Sequence, residues 1–147
     1  MQPNQLLKKQ HDEVKALFKK IEKAKPGQRR ALLAELTDNL QLHMKIEEGI
    51  FYPAVKELGS KKAEEMVAEA YEEHHVVKLV IAEIPKVDPQ DERFEAKMTV
   101  LKELIEHHVE EEEDEMFDLA DKLDDEVLED VGRQMMAGVE RVKGRAA

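Results

Sequence analysis

Apolar residues recur at spacings of three and four along most of this chain, the period of amphipathic α-helices. From Gln5 to about Lys25, Leu7, Val14, Leu17, Phe18 and Ile21 form one stripe, and His11 sits inside it. Pro26-Gly27 predicts a stop. A second helix is predicted from about Gln28 to the Tyr52-Pro53 region or slightly beyond, with Leu32, Leu33, Leu36, Leu40, Ile46, Ile50 and Phe51 inward beside His43 and Glu47; Gly59-Ser60 ends it. The third runs from about Lys61 to Ile84, with Val67, Ala70, Tyr71, His74, Val77 and Ile81 on its stripe, and Pro85 closes it. Asp88-Pro89 reads as a capping side chain followed by the residue favoured at the first helical position. It predicts a fourth helix from about Pro89 to Asp121, carrying Phe94, Met98, Leu101, Leu104, His108, Glu112 and Met116 or Leu119. A fifth, about Asp125 to Val142, contains Val127, Leu128, Val131, Met135 and Val139 and is expected to pack across the others. No strand or hairpin pattern competes.

Long amphipathic helices with short connections predict an all-α, up-down-up-down four-helix bundle over about residues 5–121, with an additional C-terminal helix over about 125–142. The whole chain, 1–147, reads as a single domain. It also repeats itself. HMKIEEGIFYP at 43–53 returns as HVEEEEDEMFD at 108–118, an offset of 65, and His11 is matched by His74 at an offset of 63. The third and fourth helices therefore read as a second copy of the first two.

The repeat singles out His11, His43, Glu47, His74, His108 and Glu112, all on inward faces. Residues four apart share one face of a helix, so His43 with Glu47, and His108 with Glu112, each present an imidazole and a carboxylate together. One histidine in an apolar stripe is ordinarily a hydrogen-bonded core residue. A buried carboxylate without a cation or partner is strongly disfavoured, however, and here there are two at matched positions. Imidazole and carboxylate donors suit first-row metal ions, and two glutamates among four histidines could bridge a pair of them. Iron is favoured over manganese or zinc. His107, with acidic helical neighbours, belongs to a solvated face, and His75 ranks behind His74. Glu48 and Glu113 are placed to orient ligating histidines from outside. The methionines read as packing.

Bulk properties narrow the function. The absence of Cys excludes disulfides, thiolate metal sites and cysteine nucleophiles. A formal charge of −11 and a pI near 5.1 argue against nucleic acid or an anionic membrane as partner. No apolar run reaches the length of about eighteen residues that a membrane span needs, and the N-terminus has no signal-peptide pattern. A soluble, cytoplasmic protein is expected.

With HxxxEExxFYP over 43–53, EEHH at 72–75, HxxxEE at 108–113 and His11, the chain resembles the hemerythrin-like or HHE cation-binding domains over nearly its whole length. The resemblance implies two iron ions, with His11, His43, His74 and His108 as terminal ligands and Glu47 and Glu112 as bridges. Oxygen-carrying hemerythrins have a further histidine one turn after His74, where this chain has Lys78, and an aspartate one residue further from the last histidine than Glu112 stands from His108. One iron is thereby expected to be open to dioxygen, peroxide or nitric oxide, unless His75 or Glu73 fills the position. The set is more similar to bacterial members linked to peroxide or nitric oxide responses, or to repair of iron centres. Lys15 and Lys78 each stand one turn after a site histidine and either bring a cation near the site or extend into solvent. An iron-sensing or iron-storage module without turnover is the alternative. A ferritin-like oxidase would need two ExxH motifs, and only Glu72 to His75 supplies one. Whether the chain is an enzyme stays open at this point, and a monomer or weak homo-oligomer is expected.

Overall fold

Helix starts and stops are set locally and agree with the periodicity over most of the computed structural model, which describes residues 1–146, with side chains through 144. Ala147, the last residue of the expected unit, lies outside the described residues. Helix α1 spans Pro3–Lys23 and α2 spans Pro26–Ile46. Pro26, expected as a stop, is the first residue of α2, where its missing N–H costs nothing. Helix α3 is Tyr52–Lys56, and Gly59 follows it with φ of 72°, a backbone shape that favours glycine. Ser60 then caps α4, Lys61–Glu83, by accepting from the Ala63 amide at 3.2 Å.

The fourth long helix differs from expectation at its start. Asp88 accepts from the Gln90 amide at 2.9 Å and so closes a turn instead of opening a helix. Asp91 is the cap, accepting from the Arg93 amide at 2.9 Å, and α5 runs Glu92–Glu111. Pro89 stays outside, its carbonyl accepting from Arg29 at 3.0 Å. Helix α6 is Phe117–Ala120, and α7, Asp125–Ala146, packs on α1 and α2.

The second and fourth expected helices are each broken by a π-helical turn, Glu47–Phe51 and Glu112–Met116. In each, a backbone bond closes over five residues, from the Tyr52 amide to the Glu47 carbonyl and from Phe117 to Glu112. Each π turn begins at a repeat glutamate. In an unbroken α-helix the residue five places on would be turned by about 140° from that glutamate, whereas the inserted residue turns it back toward the same side.

Two apolar clusters fill the bundle. One includes Val14, Phe18, Leu36, Leu40, Val77, Ile81, Leu101 and Ile105; the other includes Leu7, Phe51, Val67, Ala70, Met116, Leu119 and, from α7, Val131 and Met135. Burying a Leu such as Leu36 or Leu101, both fully enclosed, contributes about 1.5–3 kcal/mol. Along α1 the order is Leu7, His11, Val14, and along α5 and the π turn that follows it the order is Ile105, His108, Met116. The polar layer is thus held between two apolar halves. Tyr71 and Val127, on the expected stripes, are 37% and 40% exposed. The Tyr71 hydroxyl instead donates to the Glu48 carbonyl at 2.9 Å. No strand occurs among the described residues, and no helix among them is long and apolar enough to cross a membrane.

Candidate metal centre

All six residues that the repeat picks out are buried, with exposures from 0% for Glu47 to 5% for His43 and His108, and they are the buried polar or charged side chains of the described core. They meet in one layer, His11 from α1, His43 from α2, His74 from α4, His108 from α5, and the glutamates from the first position of each π turn. The donor atoms fall into two overlapping sets. His11 and His43 group with Glu47 and Glu112, and His74 and His108 group with the same two glutamates, each set lying within 4.8 Å. Nε2 of His43 and His74 approach Glu47 Oε1 to 2.9 and 3.2 Å, while Nε2 of His11 and His108 approach Glu112 Oε1 and Oε2 to 3.2 and 3.0 Å. The imidazoles pair with matching geometry, His11 with His43 and His74 with His108, ring centres 4.8 Å apart in both.

Each imidazole is held from outside by its other nitrogen. Nδ1 of His11 donates to Glu113 at 2.7 Å, of His74 to Glu48 at 2.8 Å, of His108 to Glu73 at 2.7 Å and of His43 to the Gln10 amide oxygen at 2.6 Å. These bonds select the tautomer whose Nε2 lone pair faces the centre, the state a metal ligand requires. The expected outer roles of Glu48 and Glu113 are met in this geometry. Gln10 and Glu73 complete the set, in outer roles that sequence spacing did not point to. Glu73 holds His108 from behind and does not join the inner layer, and His75 is exposed on α4. Lys78 reaches Glu48 at 2.9 Å, so its charge acts on the residue that orients His74; Lys15 is exposed.

Tyr52 also enters the layer, which sequence reasoning missed. Its hydroxyl donates to Glu112 Oε2 at 2.6 Å and lies 3.1 and 3.2 Å from Nε2 of His74 and His108. The π turn is what brings it there, five residues after Glu47. The repeat offset of 65 could have drawn attention to it, because its counterpart Phe117 stacks on the His11 ring with centres 6.1 Å apart. The two halves therefore differ in one atom class, a hydroxyl beside His74 and His108 and an apolar ring beside His11.

Charge is strained in this layer. Burial opposes protonation of His11, but the nearby carboxylates of Glu112, Glu47 and Glu113 outweigh it and raise its pKa. The same contest, with Glu112, Glu47 and Glu73, raises His108 well above its ordinary value. Burial would raise Glu47, yet His43 and the neighbouring polar groups of Glu112 and His108 hold it well below the usual carboxylate range. Burial and the charges of Glu47 and Glu112 push Tyr52 well up, so its hydroxyl stays a donor. Nε2 of His11 and His43, both oxygens of Glu47 and Oε1 of Glu112 have no hydrogen-bond partner. Buried atoms in that condition each cost about 1–3 kcal/mol. Inward lone pairs and anionic oxygens, converging without partners, fit two cations in a way that a satisfied polar core would not.

Comparison with known proteins also points to cation binding. The family model described as hemerythrin HHE cation binding domain matches residues 2–120. Uncharacterized proteins of Mycobacterium tuberculosis and Mycobacterium bovis are each 26% identical over 143 residues, 95% of this chain and 86% of each relative. A crystal structure of a hemerythrin HHE cation binding domain-containing protein from Mycobacterium kansasii, a homolog of Rv2633c, superposes with a TM-score of 0.87 at 29% identity. The match covers 99% of this chain and 90% of that one.

Proposed function

The chain belongs to the hemerythrin HHE cation-binding domain family, and from that premise we propose that it holds two iron ions which bind or react with small oxidants. His11 and His43 would hold one ion and His74 and His108 the other, with Glu47 and Glu112 shared between them. The observation that carries this is the division of the donors into two sets with both glutamates in common. Iron would supply redox chemistry and a site for dioxygen, peroxide or nitric oxide. The protein's own contribution is to fix the imidazoles through their outer partners, exclude bulk water and place one proton donor, Tyr52. The position one turn after His74 holds Lys78, which is turned to Glu48, so this chain supplies one imidazole fewer than an oxygen carrier and leaves room for an exogenous ligand.

The proposal extends to a cytoplasmic protein of one domain over 1–147, a monomer or weak homo-oligomer that does not engage nucleic acid. An iron sensor, store or repair module without turnover would use the same donors, and reactivity separates the two. Metal analysis and Mössbauer spectra of the purified protein should show two irons per chain. Stopped-flow mixing of the reduced protein with dioxygen, peroxide and nitric oxide should then show a reaction with at least one. Protein that carries iron but reacts with none would support the module. Glu47→Ala should lose iron, and a variant that retained both ions as tightly would refute the bridging role.

A further inference from the structure

Two clefts flank α4, and they differ in charge and in depth. Between α2 and α4 lies a groove of about 560 Å³ bordered by Met44, Lys45, Tyr71, Lys78 and Glu48, whose carboxylate pairs with Lys78 at 2.9 Å. Between α4 and α5 lies a tighter cleft of about 50 Å³, walled by Glu69, Glu73, Glu111 and Glu115, that reaches His108 and Glu112. Glu112 is 1% exposed, and its Oε1 has no partner. At the outer edge His107, with its side chain 64% exposed, stands 3.1 Å from Glu111 Oε1 and 3.7 Å from Glu73 Oε2. These three form a set of possible metal donors apart from the inner six. Glu73 links this outer set to the inner layer, because its other oxygen holds His108 Nδ1 at 2.7 Å.

We propose that this cleft is the entrance for the divalent cations, with Glu73, His107 and Glu111 as a transient outer binding site. The inference rests on the metal reading of the inner six residues. A cation leaving water needs carboxylates in place of its hydration shell, and a cleft lined by one sign of charge raises the local concentration of the opposite sign. The outer set offers fewer and more exposed donors than the inner layer, so transfer runs inward. The groove across α4 offers a cation one carboxylate, Glu48, which is already engaged by Lys78 and His74, with Lys45 beside it. Glu73 is the link, since one carboxylate can hold the arriving ion and the imidazole that receives it.

The test is uptake of Co(II) by the metal-free full-length chain at low ionic strength, followed by stopped-flow visible absorption. Glu73 is left intact because it positions His108. The variant Glu69→Gln/Glu111→Gln/Glu115→Gln should load on the order of ten-fold more slowly while reaching the same final stoichiometry. A control, Glu126→Gln/Glu129→Gln/Glu140→Gln on the exposed face of α7, removes the same charge elsewhere and should load at nearly the wild-type rate. His107→Ala, a single change at an exposed position, should slow loading in the same direction as the cleft variant. Cleft and control variants slowed equally, or neither slowed, would overturn the entrance while leaving the centre standing. A wild-type chain that takes up no Co(II) would overturn both.

Discussion

Replacing Tyr52 by Phe removes one oxygen from a side chain with no exposed surface and leaves its ring in place against Phe51, Tyr71 and His74. The apolar burial of the two side chains is nearly the same, so the change isolates the hydroxyl. That hydroxyl donates at 2.6 Å to Glu112 Oε2, and the other Glu112 oxygen already lacks a partner. In the metal-free protein the variant leaves a buried carboxylate without a donor from the tyrosine. A hydrogen bond to a charged group contributes about 1.5–3 kcal/mol. Urea unfolding followed by circular dichroism, with a slope of about 1–3 kcal/mol per molar, should register a midpoint lower by about 1 M. On the proposed function, cations would satisfy Glu112 in the metal-loaded protein, and the loss should be smaller there. An unchanged or higher midpoint in metal-free Tyr52→Phe would refute the argument, because it would show that the hydroxyl contributes nothing to holding Glu112.

Removal of metal by a chelator should lower the thermal midpoint. A ligand present at a thousand times its dissociation constant stabilises by about 4 kcal/mol, or about 10 °C for a chain of this size, and an unchanged calorimetric midpoint would leave the inner atoms satisfied by something other than metal. Glu48→Ala frees Nδ1 of His74 and should weaken metal affinity about 10–100-fold in chelator competition, with the helical circular dichroism retained. Asp91 has its pKa lowered by the Arg93 amide and side chain, so its contribution to stability is present above the unfolded-state value of about 3.9 and lost as pH falls through the lower folded-state value. The difference in urea midpoint between wild type and Asp91→Ala should accordingly shrink at acid pH, and a difference that stayed constant down to full protonation would contradict a charged cap.

Much of the fold was legible in the sequence because helix periodicity and capping are local. Leu7, His11, Val14 and Phe18 share one stripe on any regular helix, whatever packs against it. The Asp88-Pro89 pair misled because two aspartates three residues apart, Asp88 and Asp91, can each cap a turn, and it is Asp91 that precedes the helix carrying Phe94 into the core. Tyr71 misled because its stripe position on α4 meets the π turn at Glu48 near the surface instead of the core.

By itself the sequence determined the all-helical class, the internal repeat and the six inward histidines and glutamates, since each follows from spacing along a single helix. Only the tertiary structure decided how those six divide into two donor sets, which groups hold the outer nitrogens, and that Tyr52 faces Glu112 while Phe117 faces His11. The reason is geometric. A π turn displaces every later side chain by one residue and is stabilised by the contacts it creates, and pairs such as Gln10 with His43 or Glu73 with His108 exist only once separate helices meet.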